Sequence, residues 1–124
     1  MINRRAVALA TAVGTILQIA MVVAGHSNKT VAGLFAVGGM GISLLAGVAH
    51  SVWARGGSTS SLVAGGALAG GLCALVGIFL SYMFGDVPVS LLALGTVSSA
   101  VTGAVGGWLG AFAFRSQPLS TRTS

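Results

Sequence analysis

Four apolar runs, Ala6 to Ala24, Val31 to Trp53, Leu62 to Phe84 and Val89 to Phe114, fill the chain between Arg5 and Arg115, and none contains Asp, Glu, Lys or Arg. Each is close to the roughly 20 residues that a helix needs to cross bilayer hydrocarbon. Lipid offers a backbone no hydrogen-bond partners, so a lone run of this kind is stable there only as a helix. The expected fold is therefore all-α, an integral membrane bundle of four transmembrane helices at about 6–24, 31–53, 62–84 and 89–114, in one domain covering 1–114. Composition excludes a soluble protein: 55% of the 124 residues are hydrophobic and 6% are charged, where soluble domains carry about a quarter charged residues. The remaining 115–124 (RSQPLSTRTS) has no apolar periodicity and is expected to be a mobile polar tail.

The connections are short and polar. GHSNKT (25–30) and ARGGSTSS (54–61) are rich in residues that end one helix and cap the next, and GDVP (85–88) is a tight turn in which Gly85 stops a helix and Pro88 suits the first turn of another. So short a link makes the third and fourth spans antiparallel neighbours. Val22 and Ala24 would suit a signal-peptidase site, but Ala6 to Ala24 exceeds the usual 7 to about 15 residues of a signal core, so a retained first span is expected.

Basic residues set the expected orientation. With four crossings Arg4, Arg5, Arg55, Arg115 and Arg122 fall on one side and Lys29 alone on the other. The positive-inside rule makes the arginine side cytoplasmic, with both termini inside. Trp53 and Trp108 on that side and Tyr82 on the other are the expected aromatic anchors at the two interfaces. The net charge of +5 is spread singly over the ends of spans, which excludes nucleic acid as a partner and leaves the lipid bilayer. Short loops and this arginine pattern point to a bacterial inner membrane.

Small residues recur every fourth position within the spans. They form tracks through Gly14 and Gln18, through Gly39, Ser43 and Gly47, through Gly66 and Gly70 beside Gly77, and through Gly95, Ser99, Gly103 and Gly107. Such tracks let helix backbones approach closely, which is how helices associate where burying apolar surface gives no driving force. The third span carries two adjacent tracks and is expected at the centre. The supply of small-residue surface exceeds what four helices need, which points to a homo-oligomer or to a partner membrane protein.

Chemistry-bearing groups are sparse. Asp86 is the sole acidic residue, Cys73 has no second cysteine, and His26 and His50 fall on opposite membrane sides. No catalytic residue, cofactor site or metal site is assigned, and the chain is read as a non-enzyme. No ionisable carboxylate or amine lies at membrane depth, where proton-coupled transporters need one. His50 is expected at an interface, hydrogen-bonded to a carbonyl or water, and Asp86 as a turn residue. Gln18 is expected to be interhelical glue, or else a polar point on a permeation path with Ser43, Thr96, Ser98, Ser99 and Thr102. The leading expectation is a non-catalytic polytopic membrane protein acting through glycine-rich helix packing, as a homo-oligomer or accessory subunit. The alternatives are a passive channel or a small-solute or lipid transporter, and then a holin-like pore former.

Overall fold

The computed structural model describes residues 2–54 and 57–115, and its regular structure is entirely helical: α1 (Arg4–Ser27), α2 (Lys29–Ala32), α3 (Phe35–Ala54), α4 (Thr59–Met83) and α5 (Ser90–Arg115). Among the described residues α1, α3, α4 and α5 are long and apolar enough to cross a membrane. This is the architecture of a multi-pass membrane protein. Arg55 and the expected tail beyond Arg115 lie outside the described residues.

Local chemistry explains the ends. Asn3 caps α1 by accepting the Ala6 N–H at 3.0 Å, and Ser58 caps α4 by accepting the Ser61 N–H at 3.2 Å. Each satisfies a donor that the first helical turn leaves without a partner. Gly85, at φ +79°, turns the chain after α4 in a conformation that costs a side chain dearly. Pro88 lies just before α5 rather than in its first turn, and its carbonyl accepts the Leu91 N–H at 3.1 Å.

The second crossing departs from the expected unbroken 31–53. Its start is the separate short α2, capped by Asn28 accepting the Thr30 N–H at 2.9 Å, and a turn at Gly33 and Leu34 precedes α3. The reason is local: Gly33, Gly38, Gly39 and Gly41 crowd this segment, and each glycine costs a helix about 1 kcal/mol relative to alanine.

Successive spans run antiparallel. Helices α3 and α4 form the inner pair; α1 packs against both from one side and α5 against both from the other. Half of the spanning window of α4 is buried, against 22% to 28% for the other three, so α4 is the central helix. The core is small: Ala10, Ala46, Ala69 and Cys73 form its cluster, and His50 is the largest fully buried side chain. Bulky residues such as Val97, Val101 and Phe112 point outward. That division suits a membrane, where lipid solvates leucine and valine while close backbone approach holds the helices together.

Candidate binding cavity at one end of the bundle

One end of the bundle is closed by backbone. Where α3, α4 and α5 meet, a Cβ added at Gly47 would overlap the Gly103 carbonyl oxygen, one at Gly66 would overlap the same oxygen, and one at Gly107 would overlap the Leu62 carbonyl. At Gly70 an added Cβ would stand 2.8 Å from Gly103 Cα and 2.9 Å from the Ser99 carbonyl oxygen. Two hydroxyls tie the same seam: Ser51 Oγ donates to the Gly107 carbonyl at 2.8 Å, and Ser43 Oγ to the Gly70 carbonyl at 3.3 Å. Each such interhelical bond contributes about 0.6–2 kcal/mol.

On the other side, Gly14 of α1 faces Cys73 and Ala46, and Gly77 of α4 faces the Cβ of Gln18. Gln18 is 2% exposed and donates from Nε2 to the Gly39 carbonyl at 3.3 Å, fastening α1 to α3. Gly95 receives the Ile78 side chain. The twelve small or polar positions singled out in the sequence thus all stand at helix contacts, in two groups that share α3 and α4. Gly65, which heads a track with Ala69, Cys73 and Gly77 on the third span, also meets a neighbouring helix closely, as do Gly106 and Gly110, a four-residue pair in the sequence that the tracks above do not include.

His50, four residues from the end of α3, is buried between helices and lacks the expected hydrogen bond to a carbonyl. It is 1% exposed, its ring covers the Cα of Gly65, and neither ring nitrogen has a hydrogen-bond partner. The glycine at position 65 creates the space that draws the ring inward, a pairing across two helices that no local pattern reveals. Trp53, Tyr82 and Trp108 are all partly exposed on the outside of the bundle, Trp108 stacking on Phe112 at 6.1 Å between ring centroids. Arg4 and Arg5 are exposed at the start of α1, and Arg115 closes α5 at the same end.

The opposite end carries the ionic contact. His26 Nδ1 lies 3.0 Å from Asp86 Oδ2 and 3.3 Å from Oδ1, which places a ring proton on Nδ1, and the ring packs on Phe84 at 4.7 Å. Asp86 therefore ties the α4–α5 turn to the end of α1. With His26 half-exposed, the pair contributes no more than about 1 kcal/mol.

Beside this contact the four spans line a half-open cavity of about 210 Å³. Its α4 wall runs from Ala74 to Ser81 and its α5 wall from Leu91 to Ser99, roughly 11 Å at the helical rise. Met21, Val22, Met40, Ile78 and Leu94 make the apolar sides, and none of the lining side chains is ionisable. Gln18, Ser98 and Ser99 stand at the inner end and Ser81 at the outer. The Ser81 hydroxyl is buried with no hydrogen-bond partner, which costs about 1–3 kcal/mol when nothing else satisfies it. Of the polar path drawn from the sequence, only Gln18, Ser98 and Ser99 meet here. The Ser43 hydroxyl is engaged with α4, Thr102 donates to the Ser98 carbonyl at 2.8 Å, and Thr96, whose hydroxyl is buried, does not line the cavity.

Among the described residues no group of three or more His, Cys, Asp or Glu side chains converges to hold a metal ion. No protein-family model, curated protein or solved structure matches the chain.

Proposed function

We propose that this protein is a non-catalytic integral membrane protein that takes up a small solute or lipid-like molecule between its four helices, as a binding protein or carrier. The supporting observation is the cavity of about 210 Å³ lined by all four spans. A dry apolar cavity of roughly 150 Å³ already holds benzene. A carrier fits better than an open channel, because the glycine seam of α3, α4 and α5 blocks the inner end of the cavity with backbone. A role resting on helix packing alone has less support: the small-residue tracks are spent largely inside the bundle, and Gly41 has nothing within 4 Å of an added Cβ. Self-association would have to run through bulky outward residues.

Benzene tests this reading. Saturating benzene, at about ten times its Kd, should raise the denaturation free energy of detergent-solubilised protein by about 1.4 kcal/mol and leave Ser98→Leu, whose larger side chain fills the cavity, unchanged. An equal response in both proteins, or none in either, would overturn it.

Orientation belongs to the same proposal. Arg4, Arg5 and Arg115 share one end and Lys29 the other, so the arginine end, with both termini, faces the cytoplasm of a bacterial inner membrane. The cavity then opens toward the outer half. A membrane-impermeant maleimide should label Lys29→Cys in intact cells and Ser58→Cys only after lysis; Cys73 is buried and stays silent. The reverse pattern would invert the topology.

A further inference from the structure

The cavity walls specify more than volume. Every lining side chain is neutral, so an ion inside would have no countercharge among walls that are mostly apolar. Yet the walls are not uniformly apolar: Gln18, Ser98 and Ser99 cluster at the inner end. A few polar groups fixed in an apolar pocket orient a ligand by its own polar atoms. A plain hydrocarbon, or the methyl end of a lipid tail, would offer those groups no hydrogen bond.

We infer that the cavity binds a neutral, mainly apolar molecule carrying a hydroxyl or amide, in preference to a hydrocarbon or an ion of the same length. The length of roughly 11 Å along α4 and α5 suits a chain of about eight carbons. The hydroxyl pairs with the Gln18 and Ser99 end, and the carbon chain lies along Met21, Met40, Ile78 and Leu94. This inference rests on the proposed solute-binding role of the cavity and deepens it.

The test uses the full-length protein in phosphatidylcholine nanodiscs with four probes of equal length: 1-octanol, octane, octanoate and octylammonium. Binding is read as the difference in saturation-transfer signal between wild type and the cavity-filled variants Ser98→Leu and Met40→Trp, which cancels partition into lipid. Met40 is 42% exposed, so the second variant keeps the test open if the first fails to fold. Octanol is expected to bind about tenfold more tightly than octanoate or octylammonium and at least about threefold more tightly than octane, with Gln18→Leu erasing the margin over octane. Octane, octanoate or octylammonium binding as well as octanol would overturn the inferred ligand class and leave the cavity a binding site. No probe distinguishing wild type from the filled variants would remove the binding role itself, and the ligand class with it.

Discussion

Gly103→Val is expected to destabilise the bundle by about 3 kcal/mol or more, read as a large fall in the denaturant midpoint of detergent-solubilised protein. A Cβ at this position would overlap the Gly66 carbonyl oxygen and stand 2.9 Å from Gly70 Cα. Both obstacles are backbone of α4, the most buried of the spanning helices, so neither can rotate aside as a side chain would. Overpacking a tight core ordinarily costs about 1–3 kcal/mol through shifted rotamers. Here α5 itself has to move, and the contacts of Gly47 and Gly107 move with it. Gly41→Ala is the matched control: nothing lies within 4 Å of its added Cβ, so the midpoint should not fall. A Gly103→Val protein as stable as wild type would show that α4 and α5 do not meet through their backbones.

The second large effect is expected at the pairing of His50 with Gly65. A Cβ on Gly65 would overlap Cε1 and Nε2 of the imidazole, and a ring only 1% exposed has no open side to move to. Gly65→Ala should therefore cost about 1–3 kcal/mol. In a His50→Ala background the same substitution enters vacated space and its penalty should vanish, giving a coupling energy of about 1–3 kcal/mol in a double-mutant cycle. Additive effects would mean that the ring does not rest on Gly65. The cycle isolates the contact from the cost of His50→Ala itself, which combines a lost ring with the removal of two unpaired nitrogens of opposite effect.

Both predictions concern residues whose role was legible to different degrees. Gly103 stands out in the sequence because it continues a four-residue track on a charge-free run, and the track alone says that another backbone comes near. Gln18 was equally legible, since an amide within a span has to find a partner. His50 was legible only in part: its place near the end of a run says nothing of the missing side chain of Gly65, on another helix, that lets its ring lie between helices. Asp86 reads correctly as a turn residue, but its contact with His26 joins segments 60 residues apart.

The four crossings, their approximate limits and the demand for close packing were set by the order of residues, because hydrogen bonding within a helix is local and lipid leaves an uncharged run of that length no other choice. Neighbours in space were set elsewhere. That α3 and α4 form the inner pair, that the glycine tracks are consumed among α1, α3, α4 and α5, and that one end is sealed by backbone while the other keeps a cavity all depend on helix faces meeting across long stretches of chain. A track of small residues marks a face without naming what approaches it, and a void exists only where several such faces fail to close.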